Sequence, residues 1–186
     1  MTQLDQPTST AAQKTIDWGR CLVEHERWIR AVILARTGEP QAVDEVWQEV
    51  SLAAIEQRAP LADGDKAPAW LHRLAVIRSV RYRRQRARQR KRLARFAAES
   101  NGHASAAEDP FQWLLGKERQ DLVRRALAQI AGRDAEILML KYHQRWSYRR
   151  IAVLLEISES AVDARVFRAR ERLRRQLAHY FSERSD

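Results

Sequence analysis

Arginine dominates the chemistry available to this chain. Of 34 basic residues 29 are arginine, against 24 acidic ones, and the formal net charge is +10. A guanidinium grips phosphate through two parallel hydrogen bonds and stacks on base planes, so a polyanionic partner is expected. Two clusters stand out. Arg165, Arg168, Arg170, Arg172, Arg174 and Arg175 share one side of a C-terminal helical pattern. Between Arg73 and Arg95 lie eleven basic residues and no acidic one. Alone, such a block is a solvated, self-repelling helix; beside nucleic acid it is a phosphate track that gains counterion release at each contact. Trp70 and Tyr82 near its start offer rings either for stacking on unpaired bases or for core packing. Other chemistries lack their residues. No phosphate-cradling glycine loop, paired-histidine motif, Ser-His-Asp order or defensible carboxylate pair occurs, so no enzyme, metal or cofactor is expected. The five histidines are scattered, and a single cysteine, Cys21, rules out a disulfide framework. It reads as a small apolar residue of the core.

The elements that must position these side chains read as helices. Residues 147–170, SYRRIAVLLEISESAVDARVFRAR, have the spacing of a helix-turn-helix. Ile151 and Leu155 fall one turn apart on one face, and the small Ala152 leaves room for a crossing helix. Glu156-Ile157-Ser158 breaks the pattern, and Ser158 can cap a new first turn with its hydroxyl. The next helix carries Val162, Val166, Ala169, Leu173 and Leu177 on one stripe, with the arginines opposite. A short helix, a tight turn and a basic second helix is the geometry that lays a helix in the DNA major groove. An ordinary helical hairpin with a solvated basic face has the same pattern.

Upstream, residues 1–13 read as a disordered tail, and helical periodicity starts at Ile16, with Leu22, Ile29, Val32 and Ile33 in one stripe, Trp18 and Trp28 beside it, and Gly38 at its end. Residues 41–57 place Val43, Val46, Trp47, Val50 and Ala54 on one face and Asp44, Glu45, Gln48 and Glu49 on the other. In so basic a protein, this acidic face is either a docking surface for a basic protein or a plain solvated face. After a turn-rich loop at 59–68, the next helix sets Trp70, Leu71, Leu74, Ile77 and Val80 toward the core. Residues 99–110, small, polar and Gly/Pro-bearing, form a flexible linker and mark a domain boundary. The expected fold is all-α: two small helical domains, residues 14–98 and 111–186, the second a helix-turn-helix like a winged-helix fold without strands. No apolar run is long enough for a membrane span and no signal-peptide core is present, so a cytoplasmic protein with no membrane insertion is expected.

Three segments carry a family likeness. The chain resembles bacterial RNA polymerase sigma factors of the extracytoplasmic-function group over about residues 18–177. AVDEVWQEVSLAAI (42–55) looks like the region 2 helix that grips core polymerase. APAWLHRLAVIRSVRYRR (67–84) resembles the promoter-melting segment. The long run from Ala126 to Arg174 looks like the whole of region 4. The sequence departs from the family pattern at Ile77, where asparagine is common, and at Arg81, where aspartate is. Glu156 stands where the turn usually has glycine, and Asp163 where lysine or arginine is usual.

The resemblance implies a sigma factor that binds core polymerase and directs promoter recognition, melting and transcription initiation. Asp44, Glu45, Gln48 and Glu49 would dock on the clamp helices of the β′ subunit. The loop 60–68, with Trp70, Arg73, Arg81, Arg84 and Arg86, would engage the −10 element of promoter DNA. Ser158, Glu159, Ser160, Asp163, Ala164 and Phe167 would read the −35 element, with Arg165 and Arg168 near phosphates. An anti-sigma factor or another signal-coupled regulator would complete the partners. The rival readings are a helix-turn-helix regulator binding operator DNA as a dimer, a recombinase or nuclease with an appended helix-turn-helix, and a basic RNA-binding protein.

Overall fold

The computed structural model describes residues 16–56, 61, 63–99 and 114–182, and every regular element among them is helical. The expected tail and nearly all of the expected linker lie outside these residues. Helix α1 (Trp18–Thr37) starts at Asp17, whose carboxylate accepts from the Arg20 amide, and stops at Gly38, which takes the left-handed conformation (φ 72°) that glycine adopts without a Cβ penalty. Helix α2 (Ala42–Ile55) buries Val46, Val50 and Ala54 as its spacing requires. A short 3₁₀ turn (Gly64–Lys66), capped by Asp63, leads into α3 (Ala67–Glu99), about 50 Å long at 1.5 Å per residue. These three helices pack mutually.

The buried stripe of α3 is Leu71, Ala75, Ser79 and Tyr82. Ile77 and Val80, expected in the core, are 59% and 38% exposed. At 100° per residue, Ile77 falls on the far side from Leu71 and Ala75, so the core expectation is corrected there. Small residues fill the middle of the stripe instead: Ala75 and Ser79 are fully buried, and the Ser79 hydroxyl satisfies itself on the Ala75 carbonyl.

The C-terminal elements are α4 (Leu114–Gln129), α5 (Gly132–Leu138), α6 (Tyr148–Leu155) and α7 (Glu159–Ser182). The single helix expected over 131–143 is in fact α5 followed by one wide π turn (Met139–His143), closed by the Gln144 amide on the Met139 carbonyl. The turn widens where the chain must reverse, and Arg145 then takes a left-handed conformation (φ 57°). In α6 the buried residues are Ile151, Ala152 and Leu154, while Leu155 is half-buried. Val162, Val166 and Ala169 form the buried stripe of α7.

The two helical groups do not stand apart. Helix α1 packs on α5 and the π turn, and α3 touches α6. Trp28 and Trp146 meet across this boundary with ring centroids 5.5 Å apart, and one continuous apolar core runs from Trp18 to Ala169.

Candidate nucleic-acid interface and acidic face

Helices α6 and α7 are built as their residue types demand. The Ser147 hydroxyl accepts from the Arg150 amide and the Ser158 hydroxyl accepts from the Ala161 amide, so each helix is capped by the serine that precedes it. Between them Glu156 sits at φ 54°, ψ 44°. A side chain in the left-handed region costs about 1–2 kcal/mol, which glycine avoids. Glu156→Gly is therefore expected to stabilise the chain by about 1 kcal/mol, read as a higher urea midpoint at unchanged slope. An unchanged or lower midpoint would show that the carboxylate compensates for the strain.

On the outer side of α7's first turns Ser158, Glu159, Ser160, Asp163, Phe167 and Arg168 are exposed, and Ala164 and Arg165 are half-exposed. At 100° per residue Glu159, Ser160, Asp163, Ala164 and Phe167 fall on one face of α7, with Arg168 at its flank and Arg165 on the other side, beside the buried stripe. Phe167, 64% exposed, is a large ring with no core role. Sequence reasoning missed one feature here. Burial, reinforced by the nearby Asp163 carboxylate, holds the Tyr148 phenol above its ordinary pKa, so Tyr148 keeps its proton beside Asp163. The Lys141 ammonium lies 4.4 Å from the centre of the Tyr148 ring. Behind the reading edge, Arg172 pairs with the buried Asp134 of α5, so this arginine joins helices, whereas Arg168 and Arg170 are exposed on α7.

Helix α3 presents the second basic surface. Every residue from Arg83 to Arg95 is exposed, as is Arg81. Arginine, glutamine and alanine favour helix, but the run from Arg83 to Arg95 contains no acidic residue of its own to relieve its repulsion. The relief comes from Glu39, which receives Arg90 at 2.6 Å and Arg86 at 3.8 Å. Tyr82 is not available for stacking on bases. It is 8% exposed, and its hydroxyl donates to Glu39 Oε2 at 3.2 Å, while burial pushes its pKa up. Trp70 is half-buried, tilted against Trp18 with centroids 5.1 Å apart, leaving part of the ring outward. Arg73 is exposed and reaches Glu156 at 3.3 Å.

The acidic face of α2 is present as a surface but is not uniform. Glu45 and Gln48 are exposed. Asp44 is paired to Arg30 of α1, and Glu49 lies 3.3 Å from Arg78 of α3. Two of the four expected docking residues therefore also tie neighbouring helices together, through pairs that no spacing in the sequence reveals. Beside this face Leu52 and Ile55 are 56% and 61% exposed, giving α2 an apolar end next to its acidic middle. Cys21 is half-buried, and burial with the nearby Glu24 and Asp17 carboxylates raises its pKa, which keeps it a thiol.

Among the described residues no group of three or more His, Cys, Asp or Glu side chains is arranged to hold a metal ion, and no helix is long and apolar enough to cross a membrane.

Parts of this chain match known proteins. Residues 22–89 match the family model "Sigma-70 region 2", and residues 120–173 match "Sigma-70, region 4". A probable RNA polymerase sigma factor, RfaY, of Xanthomonas campestris pv. campestris is 26% identical over 167 residues. The match takes in 88% of this chain and 41% of that protein, so the chain spans about two fifths of its length. The structure of CnrH in complex with the cytosolic domain of CnrY is similar in fold, with a TM-score of 0.54, 22% identity, and coverage of 87% of this chain and 88% of that one. The sigma factor RpoE, solved with the anti-sigma factor NepR from Bartonella quintana, aligns at a TM-score of 0.49 and 20% identity over 87% of this chain and 97% of that one.

Proposed function

Because this chain belongs to the sigma-70 family, carrying its regions 2 and 4, we propose that it is a sigma factor of the extracytoplasmic-function kind. In this reading it binds core RNA polymerase, recognises a promoter class and opens it. The observation that carries the reading is the pairing of two surfaces in one chain. The exposed edge of α7 suits the major groove, and a separate acidic helix face, with an apolar end, suits a protein. A regulator acting on operator DNA alone has no use for the second. RNA synthesis belongs to the polymerase; this chain supplies recognition and melting and performs no catalysis. It works in the cytoplasm, where polymerase and chromosome are.

Region 4 reads the −35 element through α7, with Arg165 and Arg168 at phosphates. Region 2 takes the −10 element at the start of α3, where the outward part of Trp70 and the exposed Arg73 lie together. Ile77, also exposed there, gives this surface an apolar side chain that can pack on an unstacked base. The α3 tract follows the backbone. An anti-sigma factor or another signal-coupled regulator holds the factor until needed. Co-purification with core polymerase and run-off transcription on genomic fragments test the whole reading; absence of both would end it.

The tract gives a separate test. Replacing Arg84, Arg88 and Arg92 with Gln is expected to lower the slope of log affinity against log salt by about 0.9 for each phosphate no longer neutralised. These three are exposed on α3 and stand apart from the Glu39 cluster. An unchanged slope in promoter binding would return the tract to a solvated helix.

A further inference from the structure

Resting on the promoter-binding reading above, we propose that the outer row of α3 holds the unpaired −10 strand without reading its bases, so that sequence discrimination in this chain falls to α7.

At 100° per residue, Trp70, Arg73, Ile77, Val80, Arg81 and Arg84 line the side of α3 opposite its buried stripe. Arg73, Arg81 and Arg84 are exposed. Ile77 and Val80 are exposed beside them, and Trp70 keeps part of its ring outward. The row therefore mixes guanidinium groups with apolar side chains. What fits such a surface must carry anionic groups and flat apolar ones at short intervals. A duplex offers the phosphates, but its base faces are stacked on one another. An unpaired strand offers both: phosphates for the arginines, and open base faces for Ile77, Val80 and Trp70.

The row lacks the side chains that tell bases apart. From Trp70 to Arg84, α3 contains no Asn, Gln, Asp, Glu or Thr. Apart from arginine and the Trp70 indole, its hydrogen-bonding side chains are His72, Ser79 and Tyr82, and the fold engages all three. His72 meets Glu136 of α5 through Nε2, the Ser79 hydroxyl donates to the Ala75 carbonyl, and the Tyr82 hydroxyl donates to Glu39. Ile77 stands where the family commonly carries asparagine. An amide offers a base edge one donor group and one acceptor, and an aliphatic side chain offers neither. Arginine pairs with guanine in a groove, but along an open strand the charged phosphate oxygens are its stronger acceptors. By contrast, the reading face of α7 exposes Glu159, Ser160 and Asp163, all able to bond to base edges. The two surfaces divide the work: α3 holds and α7 selects. Promoters served by this chain should share their −35 sequence more closely than their −10 sequence.

The test uses the full chain and short labelled DNA strands of one base composition in permuted order, read by fluorescence anisotropy. The permuted strands are expected to bind within about threefold of one another, and each more tightly than its own duplex. Ile77→Ala, a surface change that leaves the fold intact, should weaken all of them by about fivefold. It should leave the salt slope unchanged, since it removes apolar contact and no charge. Ile77→Leu should keep the parent affinity. Discrimination of about tenfold or more among the permuted strands, or parent affinity in Ile77→Ala, would overturn the proposal. Tighter binding of RNA strands of the same order would overturn the assignment to promoter DNA. Run-off transcription with core polymerase, from templates that keep one genomic −35 element and permute the −10 element, separates this proposal from the sigma-factor reading. Transcripts from many −10 orders support both. Transcripts confined to one order overturn the tolerance and leave the reading in place. No transcript from any template, with all single strands bound alike, overturns the reading and leaves α3 a sequence-tolerant single-strand surface.

Discussion

Glu45→Lys combined with Gln48→Lys is expected to abolish binding to core polymerase while leaving the free protein folded. Both positions are exposed on α2, and the helix is anchored from its other side by Val46, Val50 and Ala54. Neither position carries one of the ion pairs that join α2 to its neighbours. Asp44 and Glu49 do, to Arg30 and Arg78, so reversing them would set like charges side by side within region 2 and confuse docking with stability. A partner that accepts this acidic face must be basic. Placing two lysines against it turns attraction into repulsion at a partly desolvated contact, at a cost of about 2–5 kcal/mol. That corresponds to a loss of about thirtyfold to several thousandfold in affinity. Surface substitutions without buried consequences change stability by about 0.5 kcal/mol or less, so the melting temperature should hold within a few degrees. Polymerase capture and run-off transcription should fail together. Native capture by the folded variant would remove α2 as the docking surface and leave the sigma-factor reading to region 4 and the family match.

How much was legible in the sequence follows from the range of the forces involved. Helix starts and stops are local, set by Asp17, Gly38, Ser147 and Ser158 acting within a few residues; the pattern reveals Gly38 and Ser158, while the caps at Asp17 and Ser147 emerge only in the fold. The helix-turn-helix is local too, and its apolar stripe on α7 emerges as read. Errors appear where a stripe depends on what packs against it. On α3 the large Ile77 and Val80 look like core, yet α1 is accommodated by Ala75 and Ser79, and the bulky pair turns outward. Tyr82 beside an arginine run suggests stacking, but Glu39, forty-three residues away, takes its hydroxyl. The Arg36–Glu136 pair is the extreme case: the two are a hundred residues apart, and nothing in the local pattern of either marks it. Charged surface residues seen as one acidic face likewise divide, once folded, into those that hold helices together and those left to meet a partner.

On the recognition helix, Asp163→Arg is expected to change the preferred base at one position of the −35 element, and Arg168→Ala to weaken every promoter alike. Asp163 is exposed on the reading edge, and a carboxylate can accept from a cytosine amino group, whereas arginine pairs with guanine O6 and N7. Exchanging one for the other should shift discrimination at that base pair by about 1–3 kcal/mol. The Tyr148 hydroxyl adds a second handle, since it keeps its proton beside the Asp163 carboxylate and is expected to bias the directions that carboxylate can point. Tyr148→Phe keeps the ring packed and the carboxylate charged but frees its orientation. It should therefore blur the preference at the same base pair without moving it to another base. Arg168 lies exposed toward the flank of the helix. Its removal should leave one phosphate unneutralised, lowering the salt slope by about one and keeping the base preference unchanged. Selection from a randomised −35 library, with affinities taken at several salt concentrations, separates the three outcomes. Uniform weakening of all sites by Asp163→Arg, with the preferred sequence retained, would mean that Asp163 meets the backbone rather than a base and that the reading register on α7 must be moved.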